Sequence, residues 1–89
     1  MHTKTWTVEI FISEHDDDIT GAEVVLHTNE GNELRHHATA RRNPGDRDVP
    51  EIGDELATCR ALTGLAHDLF EAAVADIEGN IGKEAALTG

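Results

Sequence analysis

Histidine and acidic side chains that could bind a metal ion occur at two places in the 89-residue sequence. His15 is followed by three aspartates at positions 16–18, and His36 is followed directly by His37. The acidic run could hold a hard cation if its loop folded back, but it matches no calcium-loop spacing, and we interpret it as a solvated hairpin turn. Adjacent strand residues point to opposite faces of a sheet, so His36 and His37 cannot bind one ion. The sequence therefore predicts no metal site.

The single cysteine does not indicate nucleophilic catalysis. On a helix, the eight residues from Cys59 to His67 would span about 12 Å along the axis, beyond the reach of a thiolate–imidazole pair. The sequence contains no nucleophile-elbow serine and no glycine-rich phosphate loop. We therefore predict a protein that is not an enzyme, with no catalytic residues and no cofactor, and we interpret Cys59 as a buried structural thiol.

Charge is unevenly distributed along the chain. The net charge of −11 disfavours non-specific binding to nucleic acid, because phosphate affinity comes from Lys and Arg. Residues 35–47 nevertheless hold four arginines against one aspartate, a net charge of +3. A solvated strand and loop is one interpretation of this segment, and contact with an anion or RNA is the other. The candidate anion-binding or partner-binding residues are Arg35, His37, Arg41, Arg42 and Arg47.

Two of three predicted strands are joined by a short turn that fixes their register. Alternating apolar residues predict strands over 5–13, 19–28 and 32–41. The link at 29–31 ends in glycine, which suits a type I turn closed by a left-handed residue. The charged pairs that this register sets across the two strands are complementary, which supports the register. The predicted pairs are Leu26 with Leu34, Val24 with His36, Ala22 with Ala38, His27 with Glu33, and Glu23 with His37.

The first strand extends this pairing into a three-stranded antiparallel meander. A turn centred on Asp16 would set Val8 beside Val24 and Trp6 beside Leu26. Trp6 then lies on the inward face of the strand, where we expect it to pack in the core.

A long helix follows the connector at residues 43–46, because the apolar period changes from two to about 3.6. We expect it to begin between Val49 and Asp54, with Asp48 or Asp54 as its N-cap, and to end at Gly79 and Asn80. At about 42 Å the helix would overhang strands of about 30 Å. The predicted buried stripe is Leu56, Cys59, Leu62, Ala66, Leu69, Ala73 and Ile77, widened by Leu65 and Phe70.

These elements predict an α+β protein with the order β-β-β-α. We expect one domain over residues 1–80, with the helix packed on one sheet face, and a flexible tail over 81–89. The overhanging helix and the two unpaired sheet edges predict a homodimer. The sequence shows no signal-peptide pattern and no membrane-spanning apolar run, so we expect a cytoplasmic protein with no membrane partner.

The connector and the helix start resemble a known family. The matching residues are Arg42-Asn43-Pro44, Asp46-Arg47 and Val49-Pro50-Glu51-Ile52-Gly53-Asp54-Glu55-Leu56, together with Trp6-Thr7-Val8, Glu14-His15 and Ala61-Leu62. From about residue 6 to residue 78 the sequence is similar to small actinobacterial proteins with a double-stranded-RNA-binding-domain-like fold. The resemblance implies a homodimer linked to hypoxia, stress and dormancy, with a shape similar to ribosome hibernation-promoting factors. It implies no catalytic residues.

The residues and the resemblance together predict a non-catalytic, stress-associated binding protein whose partner is the ribosome, either its RNA or a ribosomal protein. One alternative is an acidic protein-interaction module that binds neither ribosome nor RNA. A small enzyme whose site forms between subunits is another. No small-molecule substrate is indicated.

Overall fold

The computed structural model describes residues 1–15, 18–42 and 49–88, with side chains as far as residue 80. Its elements are β1 (Thr7–Glu14), β2 (Ile19–His27), β3 (Glu33–Arg41) and α1 (Pro50–Thr88). The strands form one antiparallel sheet in the order β1-β2-β3, and α1 packs on one face of it. The predicted α+β fold with the order β-β-β-α is therefore confirmed.

The hairpin between β2 and β3 has the predicted register. Leu26 lies opposite Leu34, and Val24, Ala22 and the two charged pairs follow in the predicted order. The Thr28 N–H donates to the Asn32 carbonyl at 3.1 Å. Gly31 closes the turn with a φ of 82°, in the left-handed region that a residue without a Cβ adopts at low cost. The turn chemistry alone was sufficient to place this hairpin.

The predicted register between β1 and β2 is wrong by two residues. Val8 lies opposite Leu26 and Ile10 opposite Val24. The cause is the connection, which closes one position later than a turn centred on Asp16 would, with the His15 N–H donating to the Ile19 carbonyl at 3.1 Å. Because side chains alternate with a period of two, a shift of two leaves the apolar residues of β1 on the predicted face.

The helix begins inside the predicted interval and ends later than predicted. Pro50 is its first residue, a position where the missing N–H costs nothing. Helix α1 continues through Gly79 and Asn80, because a helical glycine costs only about 1 kcal/mol and does not by itself stop a helix. The N-cap role of Asp48 lies outside the described residues. The division into a domain over 1–80 and a tail over 81–89 stays a prediction.

Small side chains make the contact between helix and sheet. Helix α1 packs over β2 and β3 and hardly touches β1. Among the described residues that face the helix, the largest fully buried side chain is a valine, Val24. Alanines on both elements let the helix lie close to the strands, which favours dense packing. The core consists of Ala22, Val24, Leu26, Ala40, Ala57, Ala61 and Leu65.

The predicted buried stripe of the helix is wrong except for Leu65. The helix turns its alanine face to the sheet, so the longer apolar side chains project from its flank or away from the sheet. Cys59 is exposed as well, which corrects the interpretation of a buried thiol. The exposed members of the predicted stripe are Leu56, Cys59, Leu62, Ala66, Leu69, Phe70, Ala73 and Ile77.

The inner face of β1 also lies outside the core. Because α1 is displaced toward β3, it leaves the helix-facing side chains of β1 uncovered. Trp6, predicted to be a core residue, is 47% exposed. The first strand is therefore paired through its backbone but only partly covered on its apolar face.

A polar contact fixes the helix against β3. The ring of His36 fits into the gap that Gly64 leaves in α1, where a Cβ would overlap the imidazole. From there His36 Nδ1 donates to Asp68 Oδ2 at 2.8 Å, one helical turn further along. His36 thus packs at the margin of the core, and its contact requires glycine at position 64.

We predict that Gly64→Ala destabilises the protein, although alanine has a higher helix propensity than glycine. The new methyl group would displace the His36 ring, and overpacking of this kind costs roughly 1–3 kcal/mol. The higher helix propensity of alanine raises the free energy of unfolding by up to about 1 kcal/mol. Urea unfolding should therefore show a net loss of about 1 kcal/mol.

The matched control is Gly79→Ala, because a Cβ at Gly79 meets nothing within 4 Å. This variant should gain up to about 1 kcal/mol. In a His36→Ala background, Gly64→Ala should also become stabilising. A Gly64→Ala variant that is stabilised to the same extent as Gly79→Ala would show that the ring does not occupy the gap.

Candidate functional site

The sheet face opposite α1, which we call the outer face, carries a row of paired charges across all three strands. Glu9 Oε1 lies 2.6 Å from His27 Nε2, and His27 Nδ1 lies 3.4 Å from Glu33 Oε1. Arg35 donates to Glu23 and to Glu33, each at 3.2 Å. The predicted pair of His27 and Glu33 is present. The charge of Arg35 is compensated by two carboxylates, so Arg35 does not present a free positive charge to a partner.

Two other predicted binding residues share the outer face but lie outside this row. His37 is opposite Glu23, as predicted, yet the carboxylate of Glu23 binds Arg35 instead. Arg41 lies opposite Ile19 at the end of β3, and both His37 and Arg41 are exposed. Among the described residues of the predicted set, these two are exposed on the outer face without belonging to the row of paired charges.

The remaining two predicted residues are elsewhere. Arg42 follows β3, where its Nη2 donates to Asp18 Oδ1 at 3.0 Å and its N–H donates to the Asp18 carbonyl at 2.8 Å. This pair joins the end of β3 to the residue that precedes β2. Arg47 lies outside the described residues. The predicted arginines are thus separated into a compensated residue, an exposed one and a structural one, and they do not form one patch in the described part of the chain.

A second candidate site lies on the opposite side, where β1 and the flank of α1 are uncovered. Ile12, Cys59 and Leu62 line one shallow, open cleft of about 400 Å³ between strand and helix. From this cleft the exposed apolar side chains continue along both elements. We call the whole set the apolar surface: Val8, Ile10, Ile12, Leu56, Cys59, Leu62 and Leu69. A contiguous apolar surface of this kind marks an interaction site more often than a solvated face.

Two polar atoms border the same cleft. Among the described residues, Asp54 Oδ1 and Thr58 Oγ1 are buried without a hydrogen-bond partner. Both residues line the cleft beside Ile12. An unsatisfied buried polar atom costs roughly 1–3 kcal/mol, so a group that enters the cleft and bonds these atoms would recover that cost.

The described residues can also be compared with the requirements of a metal site and of a membrane-spanning helix. Across 1–15, 18–42 and 49–80, no three His, Cys, Asp or Glu side chains are grouped as metal ligands. A metal site built from these residues would need a further kind of donor. In the described part of the chain, no helix has both the length and the hydropathy needed to cross a membrane.

The fold and these surfaces define a small α+β protein with one apolar and one charged face. The chain belongs to the Rv2632c-like family, whose model matches residues 4–86. The uncharacterised protein Mb1767 of Mycobacterium bovis is 47% identical over 73 residues, covering 82% of this chain and 76% of the relative. The uncharacterised protein Rv2632c of Mycobacterium tuberculosis is 40% identical over 77 residues, covering 86% and 81%. The predicted resemblance to small actinobacterial proteins is therefore confirmed at the level of the family.

The sequence contains a signal for the apolar surface that the leucine stripe concealed. Ala57, Ala61, Gly64 and Asp68 recur at spacings of four, three and four residues, so they share one helix face. Small residues on one face indicate close packing against a neighbour. The leucines beside that face then belong to its flank, which would have identified them as candidates for an interface.

We predict that Arg35→Gln lowers the stability by less than about 1 kcal/mol, because exposed ion pairs contribute little. Arg35 is 57% exposed and its two partners 41% and 44%. The loss should shrink further in 1 M NaCl, where surface charges are screened. Urea unfolding at low and high salt measures both effects. A loss above about 2 kcal/mol would mean that the row is a buried network rather than a surface one.

Proposed function

We propose that the protein is a non-catalytic, stress-associated binding protein that works as a homodimer assembled through the apolar surface. The observation that supports this proposal is the uncovered inner face of β1, where Val8, Ile10 and Ile12 are 41%, 44% and 48% exposed. These are large apolar side chains on a strand that its own helix does not cover. Their burial against a partner would complete the core of a small domain.

A second copy of the chain is the partner that fits this surface. Each chain carries a net charge of −11, so two copies repel through most of their surfaces. The seven residues of the apolar surface are uncharged, and the acidic residues Asp54 and Glu55 line its cleft. Contact centred on the strand residues would keep most charges of the two copies apart. A two-fold axis would bring the same surface of each copy together, as in most homodimers.

The homodimer has two candidate partners. The hibernation-factor-like role that the family resemblance implies requires contact with the ribosome, and exposed Arg41 and His37 on the outer face support it. The compensation of Arg35 by two carboxylates supports the alternative, an acidic module that binds a basic protein. Both candidates use a surface other than the one that forms the dimer.

We predict that Ile10→Lys gives a monomer. The lysine would place a charge inside the apolar contact, where burial of an unpaired charge is costly. Light scattering of the unmodified chain at micromolar concentration should give twice its mass of 9.7 kDa, and the variant should give the mass of one chain. Trp6 and Cys59 provide intrinsic reporters, because dimerisation should lower the accessibility of both.

Phe11→Lys is the matched control. Phe11 neighbours Ile10 in sequence and is 52% exposed, but it lies on the outer face opposite Glu23. This variant should remain a dimer. A clean monomer for the unmodified chain at all accessible concentrations would refute the homodimer, and loss of the dimer in both variants would place the interface elsewhere.

We predict that Arg41→Gln weakens association with ribosomes, whereas Arg35→Gln leaves it nearly unchanged. Arg41 is exposed at the end of β3, while Arg35 is already bound by Glu23 and Glu33. Cosedimentation with purified ribosomes over a salt series should show a flatter salt dependence for the Arg41 variant, because each lost phosphate contact lowers the slope.

Two results of the cosedimentation would contradict this prediction. No salt-sensitive association of the unmodified chain would exclude the ribosome and leave the acidic module. Equal weakening by both substitutions would mean that total charge, rather than the position of Arg41, determines binding.

A further inference from the structure

Gly21 leaves a gap on the outer face into which three polar atoms point. Gly21 is buried in the middle of the sheet, opposite Ser13 on β1 and Thr39 on β3. A Cβ built at this position would lie 3.1 Å from His15 Nε2, 3.2 Å from His37 Nε2 and 3.3 Å from Ser13 Oγ. Ser13 Oγ itself lies 3.5 Å from His15 Nε2. Two imidazoles and a hydroxyl, from β1, the residue that follows it and β3, therefore converge on one point.

The register of the sheet creates this arrangement. The outer face receives His37 because alternation along the strand sends His36 to the helix side. His15 and His37 are far apart along the chain, so their spacing in the sequence does not indicate a shared site. The observed pairing of Ser13 with Gly21 brings His15 to the same gap. The predicted register would have placed His15 two residues away from it.

The chemistry of the three atoms suits a borderline cation. Imidazole nitrogen is a preferred ligand of zinc, copper and nickel, and bonds from nitrogen to zinc are about 2.0–2.1 Å. Both Nε2 atoms lie within 3.2 Å of one point, so at most twice that distance separates them. Both side chains are exposed, so rotation about their side-chain bonds would bring both nitrogens toward one ion, with Ser13 Oγ or water as further ligands.

Charge favours a cation over an anion at this position. The chain carries a net charge of −11, so its field concentrates cations at its surface. The outer face also holds three carboxylates in its row of paired charges, Glu9, Glu23 and Glu33. An anion would depend on Arg41, because Arg35 on the same face is already bound by Glu23 and Glu33.

We propose that His15 and His37, assisted by Ser13, bind a divalent transition-metal ion of the zinc class in the gap over Gly21. The two imidazoles supply the nitrogen ligands, and Gly21 supplies the space. The site is independent of the apolar surface, because it lies on the opposite side of the sheet.

Zinc titration of the full chain tests the proposal, with Cys59→Ser as the parent so that the exposed thiol does not compete. Calorimetry should show one equivalent of zinc per chain, and imidazole NMR should show shifts at Nε2 of His15 and His37. His15→Asn and His37→Asn should each weaken zinc binding at least about tenfold, the loss that removal of even an outer ligand partner causes. His67→Asn is the matched control, because His67 is exposed on α1 beside Glu71.

A further variant tests the gap itself. Gly21→Ala keeps both imidazoles but fills the space between them, and it should weaken zinc binding while the chain stays folded, since the φ of Gly21 does not lie in the left-handed region. The proposal would be refuted if the parent showed no saturable zinc binding. It would also be refuted if His15→Asn and His37→Asn bound zinc as tightly as the parent. Saturable binding of inorganic phosphate with no binding of zinc would identify an anion site instead and also overturn it.

Discussion

The displacement of α1 over β2 and β3 is the constraint on which the rest of the structure depends. Alanine faces alanine across this contact, with Ala57 and Ala61 on the helix and Ala22 and Ala40 on the strands. Small side chains allow a close approach, and a helix that lies close to two strands cannot also cover a third. The contact that forms the core therefore leaves β1 and the leucine flank of the helix open.

The position of the helix along the sheet is set by a polar contact rather than by apolar packing. Alanines offer few distinguishing shapes, so they could pack in more than one register. The gap at Gly64 accepts the His36 ring at one position only, and Asp68 then binds the ring from the next turn. At about 36% and 39% exposure the pair adds little stability. We infer that its effect is on the position of the helix rather than on the stability of the protein.

The parts of the fold that the sequence predicted are those that local chemistry decides. The β2–β3 turn carries a glycine whose φ is positive, and its register was predicted without error. The β1–β2 connection carries aspartates with no such marker, and its register was predicted two residues away. The buried helix face was missed for a different reason: hydrophobicity ranks leucine above alanine, whereas the close contact with the sheet selects alanine.

The binding residues were predicted less well than the fold, because they depend on side-chain direction as well as register. Glu23 and His37 are opposite each other, as expected, but the guanidinium of Arg35 reaches the carboxylate of Glu23 diagonally. This one ion pair compensates the charge of Arg35, and the His37 ring lies beside Gly21 instead of binding Glu23. Charge counted along the sequence does not contain this information, because the carboxylates that compensate Arg35 lie outside the basic segment at residues 35–47.

Alternation along β1 separates the two surfaces that the protein offers. Ile10 points to the apolar surface, and its neighbours Glu9 and Phe11 point to the outer face. In a homodimer built through the apolar surface, the outer faces of both copies remain open. Each weak contact on an outer face then occurs twice in one particle, and two linked weak contacts bind an extended partner more tightly than either alone. Self-association of the proposed kind, through one side of a three-stranded sheet, would thus give a chain of only 89 residues a second, duplicated surface for recognition.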